Sequence, residues 1–347
     1  MEKFEMKKSL IALAVLAASG AAMAQSSVTI YGIADVWFGT VKTNNGTSSL
    51  TQTKLDSGGV NGSRWGLKGS EDLGGGLKAN FQLEQGFDMD SGKGGTTSIA
   101  GVDTAAAFSR QSWVGLSGDF GAVKLGRTPT PFDDINGASN AVFDSALSAT
   151  KDVFLSTGYT VRPNNTLFYQ APTFGGFSGA ISYSLGEDKT ASTSATSTTS
   201  MNLTYAAGPL AVQFGYQVQD IVNATATSAD LKYTRLGASY NFGVATLKAS
   251  YGAVDNVGNV NGADTSEYQI GVDFPVSSAL TLSGSIAKSD DNAKAGDAER
   301  TGYALGAKYD LSKRTFVYGG YRHAKTDNVT AADTKTDVFA VGVQHRF

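Results

Sequence analysis

Two histidines and no cysteine leave this 347-residue chain little nucleophilic or metal-binding chemistry. A hydrolase needs a nucleophile held beside a base. His323 has no motif around it, and His345 falls within an apolar ladder at the C-terminus, a poor place for chemistry. Metal sites want clustered ligands of the His and Cys type. No Asp-x-Asp-x-Asp-Gly loop is present, so no cofactor is expected, with weak Ca²⁺ at loop acids left open. The remaining chemistry is fixed charge. Asp133, Asp134, Asp144 and Asp152 punctuate a segment from Thr128 to Pro163, which opens Thr-Pro-Thr-Pro and closes Arg162-Pro163. Compact domains rarely tolerate more than about 15 residues without structure, and this segment runs to about 36. It is no solvated tail, because Phe132, Ile135, Val142, Phe143, Leu147, Phe154 and Leu155 need something to pack against. The expectation is a wide β-barrel with this loop folded into its lumen, narrowing it.

The N-terminus is a targeting segment. Lys7 and Lys8 precede an apolar run from Leu10 to Ala18, and Ala22-Met23-Ala24 supplies a small-x-small cleavage pattern. The run is too short to span a bilayer as a helix, so residues 1–24 are expected to be a secretory signal and 25–347 the folded unit. Met6 is a second candidate for the first residue. Without residues 1–24 the chain keeps 25 basic and 29 acidic residues, a net −4. That balance gives no support for nucleic-acid binding. An exported chain without cysteine has no disulfide framework, so a core, a membrane or an oligomer must stabilise it.

No segment after the signal is apolar enough for a membrane helix. The recurring pattern is period-2 alternation. Phe339, Val341, Val343, His345 and Phe347 share one face of the last segment; Val338, Ala340, Gly342, Gln344 and Arg346 share the other. Similar ladders run from Leu210 to Val218, Tyr268 to Phe274 and Tyr303 to Leu311, while Thr315–His323 reads with either face outward. Tight turns are expected near Gly74–Gly76, Asp119–Gly121, Thr173–Gly176, Ala207-Gly208, Phe242-Gly243, Val276–Ala279 and Leu311–Lys313. Longer polar stretches fall at 42–60, 88–105, 128–163, 187–199, 220–230, 252–266, 288–299 and 324–336. This alternation implies roughly 16 antiparallel strands, with short turns at one end and long loops at the other. A secreted β-sandwich array is the competing reading. Wet-looking faces of Gly, Ser, Gln, Asp and Lys, with Tyr and Phe near strand ends, favour a transmembrane barrel. A closed barrel also satisfies its backbone in lipid, as an open sheet cannot.

At this point specific stretches carry a resemblance. Ser27–Asp35, Ser63-Arg64-Trp65-Gly66-Leu67-Lys68-Gly69-Ser70-Glu71-Asp72-Leu73-Gly74, Leu77–Phe87, Arg110–Leu116, Leu125-Gly126-Arg127 and the terminal Phe347 resemble Gram-negative general porins, particularly the β-proteobacterial type. The resemblance covers the whole chain after the signal. It implies a homotrimer of 16-stranded outer-membrane barrels, each with its third extracellular loop folded inward as an eyelet. The loop lacks the Pro-Glu-Phe-Gly-Gly element that many porins carry at the eyelet tip.

Such a channel needs a transverse field, with cations on the wall facing acids on the loop across water. Strand parity and the family pattern give Arg64, Arg110 and Arg162 as the basic cluster. Parity places Arg110 with Ser112 and Val114 on the lumen face and turns Trp113 outward; it places Glu84 with Gln82 in the lumen. Asp133 and Asp134 are the expected loop acids, with Asp144 next, although each could instead cap a short helical turn. The bland alternative makes each arginine a solvated wall residue paired with a loop carboxylate. Lys124 is a further wall candidate. Parity with Val123 and Leu125 sends Arg127 outward, towards an ion pair between subunits. Phe339, Val341, Val343 and Phe347 resemble the signal read by outer-membrane assembly machinery.

The expected function is an outer-membrane general diffusion porin for ions and small hydrophilic solutes, in contact with lipid and lipopolysaccharide. A substrate-selective channel of the same fold and a barrel enzyme or adhesin are the alternatives. Three lumen arginines favour anions, and the net −4 favours cations. Screening confines fields to about 8–10 Å, so local charge decides, and anion preference is expected.

Overall fold

The computed structural model describes residues 27–99, 102–135, 137–220, 229–329 and 331–347. The expected signal at 1–24 and most of the 220–230 loop lie outside the described residues. The strands are β1 (Ser27–Asn44), β2 (Ser49–Ser57), β3 (Arg64–Gly74), β4 (Leu77–Gly86), β5 (Thr96–Ile99), β6 (Val102–Ala105), β7 (Gln111–Gly118) and β8 (Gly121–Arg127). Beyond the 128–163 segment come β9 (Thr166–Gln170), β10 (Phe177–Leu185), β11 (Ser197–Ala207), β12 (Leu210–Gln219), β13 (Leu231–Asn241) and β14 (Thr246–Asp255). The sheet continues through β15 (Thr265–Pro275), β16 (Leu280–Asp291), β17 (Glu299–Asp310), β18 (Thr315–Asp327) and β19 (Thr334–Arg346).

Every pairing in the main sheet is antiparallel, β5 and β6 form a separate hairpin so that β4 pairs with β7, and β1 pairs with β19, so the sheet closes. The outer half of β1 pairs with β2 and its inner half with β3. These two strands are therefore one stave broken at 58–63, and the barrel has 16 staves. At the seam Phe347 and Gly32 exchange two backbone hydrogen bonds. A barrel of this strand number is wide enough to leave an aqueous bore.

All seven tight turns fall where the glycine and polar clusters place them. The long stretches are shorter than the sequence suggests. Strands β1 and β2 run on to a hairpin at 45–48, and β16 to β19 extend well into 288–299 and 324–336. Outside a bilayer both faces of a hairpin are wet, so the strands continue while the apolar alternation that marks them stops.

The two faces separate cleanly. Ile30, Leu203, Ile286, Leu305 and Phe339 are all more than half exposed on one face. Ser200, Gln217, Arg235, Glu267, Ser283 and Arg322 are buried on the other. The terminal ladder follows the expected split: Phe339, Val341, Val343 and Phe347 are exposed, while Val338, Ala340 and Gln344 are buried. The ambiguous β18 turns Phe316, Tyr318, Arg322 and Ala324 inward.

What buries the polar face is the 128–163 segment. Its Phe132 and Val142 amides donate to Ser200 Oγ (3.0 Å) on β11 and Ser283 Oγ (2.8 Å) on β16. Asn202 Nδ2 and Gln217 Nε2 donate to the Pro131 and Thr160 carbonyls at 2.7 and 3.0 Å. On the far side the Ala146 amide reaches the Gly59 carbonyl at 2.8 Å. The segment's apolar side chains fill the spaces between. Phe132, Ile135, Val142, Leu147, Val153 and Phe154 are all buried. Close approach explains glycine on the wall: a Cβ at Gly215 would collide with Ile135 Cδ1, and one at Gly306 would sit 2.8 Å from Val142 Cγ1.

Candidate functional site

Two polar systems flank the 128–163 segment. The first lies on the wall from β1 to β8. Glu84 on β4 receives Arg110 Nε at 2.8 Å and Tyr31 Oη at 2.9 Å, and Gln82 Nε2 donates to Tyr31 Oη at 2.6 Å. Arg64, at the start of β3, donates from Nε to the Gly62 carbonyl at 3.1 Å, and among the described residues it forms no ion pair. Arg162 approaches Asp133 at 3.9 Å, whose other oxygen accepts Tyr159 Oη at 2.5 Å. Burial and then the neighbouring Arg110 charge pull the Arg162 guanidinium below its usual range, while Asp133 and Glu84 act against them. The three arginines expected from the sequence are thus within electrostatic reach of one another, beside Glu84 and Asp133.

Arg127 belongs to the same group, which corrects the outward placement. Its Nη1 donates to Asn164 Oδ1 at 2.6 Å and to the Arg162 carbonyl at 2.5 Å, and its Nε donates to the Ser109 carbonyl at 2.7 Å. Parity fails because Gly126 has φ +134°, outside the strand region, and re-aims the next side chain. Arg110, Arg127 and Arg162 line one cleft of about 570 Å³ with Ser57, Thr160 and Asn164.

The face assignment of β7 is likewise reversed. Trp113 turns to the polar face, where Lys124 Nζ lies 5.0 Å from its ring centre, and Val114 is 58 % exposed on the apolar face. Arg110 still reaches Glu84 because it precedes β7, in a bend where strand parity does not hold.

The remaining acids separate. Asp134 is reached by water yet walled by protein on several sides, so its hydration is thinner than at an open surface. Burial, with Asp133 adding to it, pushes its carboxyl up to about 6, against the charges of Lys124 and Arg162. Asp144 stands apart from the arginine group. It accepts Asn140 Nδ2 at 2.6 Å, and burial raises its pKa as well. Val142, Phe143 and Asp144 all have positive φ, a strained run held by the Ser283 contact and by Ser145 Oγ donating to the Val142 carbonyl at 2.6 Å.

The second polar system, on β13 to β18, was not anticipated. Glu267 accepts the Leu155 amide and, at 3.0 Å, the Ser156 amide; Arg235 Nη2 donates to Ser156 Oγ at 2.8 Å. Arg322 Nη1 donates to Asp152 Oδ2 at 2.7 Å and to the Lys151 carbonyl at 2.6 Å. Asp35, on β1, adjoins this system across β19. It accepts the Gly59, Val60 and Asn61 amides at 2.8–3.1 Å and Tyr318 Oη at 2.6 Å, fixing the break between β2 and β3 whose Gly59 carbonyl meets the segment. An isolated charge on a strand's polar face was the available signal, and each of these residues carries it. Among the described residues no group of three or more His, Asp or Glu is placed to hold a metal ion.

A closed barrel with an apolar outer face and a charged inner wall has the build of a transmembrane channel. The model of the Gram-negative porin family matches residues 10–329, and the chain belongs to that family. It is 36 % identical to outer membrane porin protein 32 of Delftia acidovorans, over 98 % of this chain and 95 % of that one. It is 32 % identical to an outer membrane porin protein of Bordetella pertussis, over 99 % of this chain and 100 % of that one. Among solved structures, the anion-selective porin from Comamonas acidovorans superposes with a TM-score of 0.72 at 28 % identity, covering 93 % of this chain and all of that one. The protein is an outer-membrane porin.

Proposed function

We propose that the chain is an anion-preferring general diffusion channel whose 128–163 segment lies across the bore and narrows it. One observation carries the reading: Arg64, Arg110 and Arg127 on the wall gather with Arg162 at the end of the segment, and among the described residues only Glu84 and Asp133 form ion pairs with them. Opposed charges across a narrow water-filled gap between low-dielectric walls focus the potential. With screening over about 8–10 Å, the net charge of the whole chain counts for less than this local excess. The anion selectivity stated for the Comamonas acidovorans porin agrees with that sign.

Other parts of the reading rest on the family resemblance. The channel is a homotrimer in lipid and lipopolysaccharide, passing ions and small hydrophilic solutes, with neither catalytic machinery nor a cofactor. The exposed ladder ending at Phe347 serves the assembly machinery. Single-channel recording of refolded protein in a KCl gradient tests the proposal. Three equal conductance steps and a reversal potential of anionic sign are expected; a cationic sign overturns the selectivity, and vesicles left impermeable to salt overturn the channel.

A further inference from the structure

The register of β7, which sends Val114 and Leu116 outward, turns Trp113 to the inner wall. The inner wall of a hydrated channel is ordinarily polar, and an indole there is an unusual surface. Trp113 Nε1 is tethered to Gln111 Oε1 at 3.0 Å, which fixes the ring against the wall. Lys124 Nζ lies 5.0 Å from this ring centre and 4.6 Å from that of Phe168. Lys68 Nζ lies 5.2 Å from the Tyr31 ring centre. Among the described residues neither lysine has a carboxylate within ion-pair distance, and a lysine resting on an aromatic ring in water is weakly held. Trp113, Lys68, Lys124, Gln82 and Asn80 line one hollow of about 360 Å³. It lies between the Arg64–Glu84 level and the short turns at Gly74–Gly76 and Asp119–Gly121, so it is distinct from the arginine cleft.

We propose that this hollow is a binding subsite for planar aromatic carboxylates, on the short-turn side of the arginine group. The solute's ring lies on the Trp113 indole. Its carboxylate draws Lys124 and Lys68 from their rings, and the amides of Gln82 and Asn80 offer donors beside it. Chloride and aliphatic carboxylates lack the ring and gain only the charge. The proposal rests on the bore being open, and the experiment separates the two.

The test is chloride current through the refolded channel with benzoate, acetate or benzamide added. Benzoate is expected to reduce the current saturably, whereas acetate and benzamide at equal concentration are not. Stacking on an aromatic side chain is worth about a tenfold affinity or more, so Trp113→Ala should raise the half-blocking benzoate concentration by about that factor. Trp113→Phe, which keeps a ring, should restore most of the block, and the Lys68→Gln, Lys124→Gln pair should lose it. The open chloride current of each variant reports that it folded. Equal effects of benzoate and acetate, or an unchanged block in Trp113→Ala, overturn the subsite while leaving the channel standing. A protein that passes no chloride overturns both.

Discussion

Arginines occupy the polar face on both sides of this barrel, and their fates differ. Arg235 and Arg322, on β13 and β18, are 5 % and 4 % exposed, with their guanidinium groups spent on Ser156, Lys151 and Asp152 of the inner segment. Arg110 and Arg162 line the cleft beside β3, β4 and β7 and Arg64 stands next to them, each half-buried, with two carboxylates paired among them. Residue type and strand parity are the same in Arg235, Arg322 and Arg64. What lies over the side chain decides whether it anchors a loop or sets a field. The 128–163 segment covers Arg235 and Arg322, whereas a cleft remains beside Arg110 and Arg162.

Breaking the anchored half should have the largest effect. Glu267→Ala strips the Leu155 and Ser156 amides of their acceptor, at roughly 1–3 kcal/mol for each orphaned group. The released segment is expected to raise single-channel conductance with current noise and to lower the thermal unfolding temperature, read by recording and by heat-shifted gel migration. Smaller changes come from the open half. Removing one charge about 6 Å from the ion path is worth about 0.7 kcal/mol at water-like permittivity, roughly threefold in permeability ratio. Glu84→Gln frees Arg110 and should raise the chloride-to-potassium ratio by up to that factor. The smallest effect is with pH. Asp134, with its pKa pushed up to about 6, is charged above that value and neutral below it. Anion preference should therefore rise as pH falls from 7.5 to 5, with a midpoint near 6, and Asp134→Asn should flatten the curve at its acidic end. Reversal potentials across that range check it.

Much of this was legible beforehand, and the gaps share a cause. The last strand could be read residue by residue, because one face meets lipid and the other does not. Arg64 and Glu84 lie on paired stretches of β3 and β4 where the register is regular, so parity gives their face. Trp113 and Arg127 were misplaced where a bend before β7 and the φ of Gly126 interrupt it, since parity propagates only along regular strand. The extended hairpins resemble loops in the sequence because alternation ends where the bilayer does. The roles of Glu267, Arg235 and Asp35 are not legible in the sequence, because a buried charge and a solvated one look alike until the segment that covers them is in place.

The comparison between the two halves comes down to paired recordings of Arg64→Ala and Arg235→Ala in a KCl gradient. The account predicts that Arg64→Ala lowers the chloride-to-potassium permeability ratio about threefold with little change in conductance. Arg235→Ala should raise conductance and leave the reversal potential nearly where it was. An unmoved reversal potential in Arg64→Ala, or a larger shift in Arg235→Ala, would contradict it.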